Sequence, residues 1–499
     1  MIFLGAILLQ LLFITGSSNG TPLEKKILQC DDSKYMGSWI ENWQDIDAKW
    51  CVLKYREFTD DVDYSFKLEG REKIVYLQIL DSSMINLPRS LLSHLGFVRE
   101  FTVSNSSLKH VDRLNFKFES LYFVNFSNNA IESINDHAFA NFEDLKIISL
   151  SNNRLTHLKG FPFPFSEKNL DYDFSHNKIE SIAESVFGGK DIIRLILTNN
   201  SLESVEGIFK KVVRLGELNL SYNKLKKFQP TVSLRTSAFD LSSNFLESVD
   251  FTKIDASTIN TLKVNDNLLT KISLGSSITS LTLLQLEKNK FGDNLQDICK
   301  CSKVMDLSLK DNLIRDIGSC FSEMKTLNSL NLAKNQIETI KPESFHKDNA
   351  IETLDLAFNR IESFNKDTMS VFGHLKVLNL TGNRLQDFYD YPKTIMYNLK
   401  VLGLSHNNFK CSRFTALQDK FSLLLNFFID RSVPVNGKDI TKEGCYDDKE
   451  KVLTARYLDD AILAIQNSVR DELKRIYEKF ESQIKKVENS CSNPKRIVP

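Results

Sequence analysis

Residues that break or loosen structure are scarce in this chain. With 19 glycines and 10 prolines in 499 residues, neither a collagen-like nor a low-complexity disordered reading fits. Excess charge of one sign is missing as well. Lys+Arg and Asp+Glu each number 64, so no overall positive field draws in nucleic acid or anionic lipid from a distance. Long apolar runs are absent apart from Ile2 to Ile14, which is 13 residues against the roughly 20 that a membrane-spanning helix needs. Followed by the small polar stretch Thr15-Gly16-Ser17-Ser18-Asn19-Gly20, that run reads as a signal peptide over residues 1–20 and predicts a secreted, extracellular chain without membrane insertion.

Catalytic signatures are also lacking. The eight histidines (94, 110, 137, 157, 176, 346, 374 and 406) form no H-E-x-x-H, and no G-x-S-x-G, Walker or dinucleotide loop occurs. The eight cysteines (30, 51, 299, 301, 320, 411, 445 and 491) show no pair of C-x2-C units, which favours disulfides over a zinc site. The expectation is a non-enzymatic chain with no cofactor and no metal. Asp171 and Asp173 form a carboxylate pair of the kind that acid–base chemistry uses, but their repeat positions place them on an exposed strand as part of a charged surface.

What is abundant is repetition. The pattern L-x-x-L-x-L-x-x-N-x-L returns every 21 to 24 residues, as in Leu145-Ile148-Leu150-Asn153-Leu155 and Leu215-Leu218-Leu220-Asn223-Leu225. This is a leucine-rich repeat. The second apolar position falls at 77, 101, 124, 148, 172, 195, 218, 239, 262, 284, 307, 330, 354, 378 and 402, which makes 15 units. The central L-x-L is a short strand whose alternate side chains point inward, and strands of successive units stack as a parallel sheet. Asn ends the strand in 13 of the 15 units, replaced by Ser82 and Ser106 in the first two. Its amide must satisfy backbone groups left unpaired by the turn, so these two units are expected to be the less regular end. Phe139, Phe187, Phe209, Phe345 and Phe372 recur later in their units and absorb part of the high Phe count of 35 as core.

A solenoid needs caps over its ends. The domain organisation that follows is an N-terminal cap over 21–73, repeats over 74–409, a C-terminal cap over 410–450, an amphipathic helix over 451–491 and a tail over 492–499. The fold class is thus an α/β solenoid: a leucine-rich-repeat horseshoe with cysteine-bearing caps and a C-terminal amphipathic helix forming a short coiled coil. Cys30 and Cys51 flank the segment before the first unit, and Cys411 and Cys445 bound the stretch after the last. Cys299 and Cys301 lie one unit before Cys320 at nearly the same phase, so either is within disulfide reach of it. Apolar residues at 458, 462, 465, 469, 473, 476, 480, 484, 487 and 491 form one helical stripe with an 11-residue period. Cys491 continues that stripe. Cysteine parity leaves it over and makes it the candidate interchain cysteine of a disulfide-linked homo- or heterodimer, the alternative being a helix folded back on the solenoid.

The outward-facing strand residues define a candidate partner-binding concave face: Glu100, Phe123, Ile147, Asp171, Asp173, Ile196, Glu217 and Asp240, with Glu287, Asp306 and Asp355 further along. Arg194, Lys263 and Lys310 are the cations set against these acids, so this face is acidic. It suits a basic protein surface rather than nucleic acid or another phosphate-rich ligand, and Phe123, Ile147 and Ile196 supply an apolar hot spot. Glycosylation sequons occur at Asn105, Asn125, Asn199, Asn219 and Asn379. Glycans on the mid-strand Asn125, Asn219 and Asn379 would obstruct the same face.

Signal peptide, extracellular repeats, mid-array cysteines, a cap running from Phe409-Lys410-Cys411 to Gly444-Cys445 and a terminal helix come in an order that resembles the secreted mosquito-type leucine-rich-repeat immune proteins of insects. Two departures are the lack of an adjacent Cys-Cys pair before the helix and the short helix itself. The resemblance implies circulation in hemolymph, disulfide-linked dimers with Cys491 as the interchain cysteine, and complexes with complement-like thioester proteins in innate immunity. Two other readings stay open: a monomeric extracellular signalling or receptor-binding solenoid, and a direct pattern-recognition protein for microbial surfaces.

Overall fold

The computed structural model describes residues 24–35, 47–60, 62–68, 72–93, 96–112, 114, 121–160, 169–230, 235–388, 398–409 and 426–428. Cys411, Cys445, Cys491, His94, the expected signal peptide and the expected C-terminal helix lie outside them. Two compact units divide the chain, residues 1–268 with 272–280 and residues 269–271 with 281–499.

The first unit opens with an antiparallel pair, Asp32–Tyr35 against Asp47–Lys54, joined beside its start by the Cys30–Cys51 disulfide. Asp47–Lys54 then pairs in parallel with Glu72–Leu80, and parallel pairing continues strand by strand to Thr261–Lys263. The register is the one the repeat dictates. Leu77 pairs with Phe101, Phe101 with Val124, Val124 with Ile148 and Ile148 with Tyr172. Tyr172, Leu195, Leu218, Phe239 and Leu262 continue the row. The second unit repeats the scheme through Leu284, Leu307, Leu330, Leu354, Leu378 and Leu402. All 15 positions read from the sequence are therefore mid-strand, and each is at most 1% exposed. Inward residues of neighbouring turns form one core per unit, since no single turn can bury its own apolar edge.

Little of the far side is helical. Among the described residues the α-helices are Arg89–Leu92, Gln296–Cys299 and Lys366–Ser370. Other far-side connections include short parallel pairs such as His157–Leu158 with Ser181–Ile182. Phe139, Phe187, Phe209, Phe345 and Phe372 are buried there, where Phe345 packs edge-on to Phe372 with centroids 4.9 Å apart. Phe187 lies 6.0 Å from Tyr172 and 6.4 Å from Phe174. Such rings bury much apolar area per residue, which explains how a chain with so few helices fills its core.

The asparagine ladder supplies the polar counterpart. Asn177 shows the arrangement: its Oδ1 accepts the Leu155 N–H of the preceding turn at 3.0 Å, and its Nδ2 donates to the carbonyls of Leu150, Phe174 and Ser175 at 2.9, 3.1 and 3.1 Å. The same Oδ1 bond recurs from Asn153 through Asn267 in the first unit and from Asn289 through Asn407 in the second. Ser106 serves with one hydroxyl, accepting the Ser82 N–H and donating to the Ser104 carbonyl. Where the serines give way to asparagine the ladder is imperfect, because the Asn129 Oδ1 is buried without a hydrogen-bond partner among the described residues.

One backbone feature was not read from the sequence. The residue before each ladder position has positive φ in all 15 units, from Asp81 and Asn105 through His176 and Tyr222 to Phe358, Gly382 and His406. Asn, Asp, His and Gly are tolerated there at little cost, whereas long or aromatic side chains are not. His176 and His406 are thereby turn residues.

Candidate functional site

The outward side chains of the first unit fall into two rows. The first row, preceding each mid-strand core residue, runs Trp50, Tyr76, Glu100, Phe123, Ile147, Asp171, Arg194 and Glu217, each in register with the next. Tyr76 and Phe123 thus flank the exposed Glu100 in an apolar patch that Ile147 continues on one side and the Trp50 ring, 5.9 Å from Tyr76, on the other. Tyr122, 42% exposed, and Ile193, 48% exposed, stand at the edge of the same strands. Desolvation by these neighbours raises the Glu100 carboxyl above the ordinary carboxylate range, against the opposing charge of Arg99.

Beyond the patch the row turns ionic. Arg194 Nε and Nη2 donate to Asp171 Oδ1 and Oδ2 at 3.1 and 2.7 Å. This two-pronged bond, with Glu217 and Asp173 nearby, raises the guanidinium pKa further. Asp171 is accordingly held in an ion pair with Arg194.

The row after each core residue has a structural task. Asp173 Oδ1 accepts the Ser175 N–H at 2.9 Å, and Asp240 Oδ1 the Ser242 N–H at 3.1 Å. In the second unit Asp355 Oδ1 accepts the Ala357 N–H at 3.0 Å, and Asn125 and Asn219 do the same in the first. An Asp or Asn here starts the turn by bonding the backbone two residues on. Much of the acidic character read from the sequence therefore belongs to turn formation. Glu100 and Glu217 in the first unit, and Glu287 and Asp306 in the second, carry the remaining carboxylate surface. Ile196 is half-buried and lies level with Asp173 and Asn219.

In the second unit, burial chiefly raises the Glu287 carboxyl, helped by the charge of Asp306 and opposed by the Ser308 hydroxyl and Lys310. Asp306 is likewise raised by burial, against a hydrogen bond with Ser329. The Glu287 Oε2 atom has no hydrogen-bond partner among the described residues. Val377, Asn379 and Val401, outward by register, are buried, so the last strands present little open face. The accessible apolar patch with the flanking Asp171–Arg194 ion pair lies in the first unit.

The cysteines and sequons can be placed as well. Cys299, not Cys301, bonds to Cys320, and Cys301 is a free buried thiol. Asn105 and Asn199 are exposed, Asn125 and Asn219 half-buried. Asn379 is 5% exposed, with its Oδ1 over Gly403, where an added Cβ would approach to 2.5 Å. Sequence spacing treats these five alike; strand register and the packing of the next turn separate them. Among the described residues no group of three or more His, Cys, Asp or Glu could hold a metal ion, and no helix is long and apolar enough to cross a membrane.

The family model described as leucine rich repeat matches residues 97–155, 302–361 and 325–385. Bovine (Bos taurus) keratocan is 25% identical over 265 residues, 46% of this chain and 73% of that protein. Coverage of a curated relative falls as low as 15% of its own length, so what is shared is the repeat tract. Among solved structures, the Toll–Spatzle complex of Drosophila aligns with TM-score 0.55 and 20% identity, over 72% of this chain and 55% of that chain. The leucine-rich repeat domain of APL1 aligns with TM-score 0.50 and 20% identity, over 80% and 98%. Repeat match, strand register and shared fold together give the described residues of this chain the leucine-rich-repeat solenoid fold.

Proposed function

We propose that this chain is a secreted binding and scaffold protein of innate-immune type that engages a protein partner through the strand face of its first unit. The observation that carries the reading is the patch of Tyr76, Phe123 and Ile147 around Glu100, bordered by exposed Tyr122 and the Asp171–Arg194 pair. Aromatic anchors beside fixed charges are the composition of an interface hot spot. A broad sheet surface suits a protein partner. The immune assignment, and a complement-like thioester protein as partner, rest on the order of signal peptide, repeats, cap and terminal helix. The Toll–Spatzle complex, a molecular hub in Drosophila development and innate immunity, gives a precedent for this fold in such a role. Dimerisation through the C-terminal helix and Cys491 belongs to the same proposal.

The keratocan likeness favours a second reading, a monomeric extracellular signalling or matrix solenoid. One experiment separates them: light scattering of the secreted protein with reducing and non-reducing gels, wild type beside Cys491→Ser, and capture of partners from the extracellular fluid by wild type and Phe123→Asp/Ile147→Asp. A disulfide dimer abolished by Cys491→Ser, with partner affinity reduced about thirtyfold or more by the patch variant, supports the proposal, since a hot-spot loss is about 2 kcal/mol or more. A monomer throughout favours the second reading. Retention of the partner by the patch variant removes the strand face from the account.

A further inference from the structure

The two rows of side chains that flank the asparagine ladder differ in charge between the units. In the second unit the residues just before and just after the ladder include Lys288, Lys290, Lys334, Arg360 and Arg384, with Asp311 the acid among them. Their backbone is pinned turn by turn. Lys288 N–H donates to the Lys310 carbonyl at 2.9 Å, Asp311 to Ala333 at 2.8 Å and Lys334 to Ala357 at 2.7 Å. In the other row Lys290 N–H donates to Leu269, Arg360 to Ile337 and Arg384 to Ile361, at 2.8, 2.8 and 2.9 Å. Neighbouring positions of a row are thus one strand spacing apart, about 4.8 Å. Lys288 and Lys334 stand about 10 Å apart in one row, and Arg360 and Arg384 about 5 Å apart in the other. Among the described residues Arg384 lies 4.0 Å from Glu362, and no carboxylate comes within ion-pair distance of Lys288, Lys290, Lys334 or Arg360.

Backbone conformation adds a second argument. Lys288 and Lys334 occupy the left-handed region, at φ of 50° and 54°, where a short polar or absent side chain is favoured. The first unit mostly fills this position with Asp, Asn, His or Ser. Unfavourable backbone conformations retained against propensity concentrate at functional positions. Phe358 shares the row, 52% exposed, with its ring against Gly382, where an added Cβ would meet it at 2.5 Å. The matching row of the first unit carries the exposed sequons Asn105 and Asn199, whereas no sequon falls on this edge of the second unit.

We propose that this basic edge of the second unit, built on Lys288, Lys290, Lys334 and Arg360, binds a linear sulfated polysaccharide. Unpaired cations on the first, third and fourth of four successive turns offer several contacts to a chain of recurring sulfates, and a chain of net charge zero has no general attraction for polyanions that would make such binding indiscriminate. Nucleic acid is the poorer fit: single strands are held by successive aromatic platforms, and this edge offers one ring. The surface is distinct from the strand face, so the inference does not depend on the protein-partner reading.

The test measures binding of a fluorescent heparin oligosaccharide to the full secreted chain by anisotropy, with desulfated oligosaccharide and a single-stranded RNA of similar length as probes beside it. Wild type is compared with Lys288→Glu/Lys290→Glu/Lys334→Glu/Arg360→Glu and with a control reversal on the first unit's edge, Arg154→Glu/Lys178→Glu/Lys224→Glu. Circular dichroism and melting confirm that each variant is folded, and single Lys334→Glu and Arg360→Glu variants serve if the fourfold variant does not fold. Expected are binding to sulfated but not desulfated probe, an affinity falling about a hundredfold between 50 and 200 mM salt for four ionic contacts, at least a tenfold loss in the second-unit variants, and little change in the control. No heparin binding at 50 mM salt, equal losses in both sets of variants, undiminished binding by the second-unit variants, equal binding of the desulfated probe, or tighter binding of RNA than heparin would each overturn the proposal.

Discussion

Replacing Asn177 by alanine puts the ladder to a direct test, because every bond it makes is resolved. Its Oδ1 accepts the buried Leu155 N–H at 3.0 Å, and its Nδ2 donates to three carbonyls between 2.9 and 3.1 Å. Alanine leaves the Leu155 N–H buried without a partner, which costs about 1–3 kcal/mol, and removes donors from carbonyls whose bonds are worth about 1 kcal/mol each. Three carbonyls share two hydrogens, so the donor loss is about 2 kcal/mol rather than 3. The total is about 3–5 kcal/mol, a large part of the 5–15 kcal/mol that holds a typical domain. In a solenoid the damage should be concentrated on the turns in contact with the missing amide. The assay is urea unfolding combined with amide hydrogen exchange, reading Leu155 against Ile337, whose N–H is held by Asn359 Oδ1 in the second unit. Loss of protection at Leu155 with Ile337 unaffected is the expected result. Asn177→Asp should be at least as damaging, since it keeps the acceptor but turns a carboxylate oxygen toward the carbonyls. A loss below about 1 kcal/mol with Leu155 still protected would refute the account of what the ladder does.

Three further outcomes follow from burial. Glu287 holds its proton more tightly folded than unfolded, so its contribution to stability falls as pH rises through the folded value. Glu287→Gln should therefore stabilise the protein by about 1 kcal/mol at pH 7 and lose that advantage near pH 4, as measured by melting temperature at both pH values. Among the sequons, Asn105 and Asn199 should be glycosylated and Asn379 not, read by peptide mapping after enzymatic deglycosylation in heavy-oxygen water; an occupied Asn379 would contradict its burial under the next turn. Burial first, and the charge of Asp297 second, push the Cys301 thiol up to about 11. Maleimide at pH 7.5 should leave the Cys301 peptide unlabelled in native protein and label it fully in denaturant.

Where the sequence was legible, one residue type had one physical job. Leu at a fixed phase can only be core, and all 15 mid-strand positions lie where the pattern put them, in register with their neighbours within each unit. Asn in the ladder was equally plain, because a buried amide at a turn must find several backbone partners. The outward face was harder to read, since one residue type serves two ends there. Asp173 and Asp240 count as acidic surface in a sequence, yet their oxygens are turned back to the Ser175 and Ser242 amides. Spacing offered a signal for this: each Asp is followed two residues later by Ser, the usual grammar of an Asp-initiated turn. Arg194 likewise counted as one of three cations set against the acidic face, and its register with Asp171 ties those two together.

The choice between Cys299 and Cys301 shows why the remainder was hidden. Both lie within two residues of the same phase relative to Cys320, and repeat spacing has a resolution no finer than that. The short helix Gln296–Cys299 decides it: Cys299 closes the helix with its sulfur toward Cys320, while Cys301 falls beyond it and is buried among core residues. A four-residue helix has no periodicity to detect, so the pairing is settled by packing that no local pattern records. The positive-φ row argues the same way from the other side. Asn, Asp and His fill it often enough to be seen once the 15 units are aligned, but Lys288, Lys334, Tyr222 and Phe358 blur the signal. Those exceptions are informative in their turn, because a residue that opposes its backbone conformation must be retained for what its side chain does. In the second unit the exceptions include two lysines and an exposed ring on one edge, which is why that edge, rather than the more polar edge of the first unit, is the place to look for a ligand.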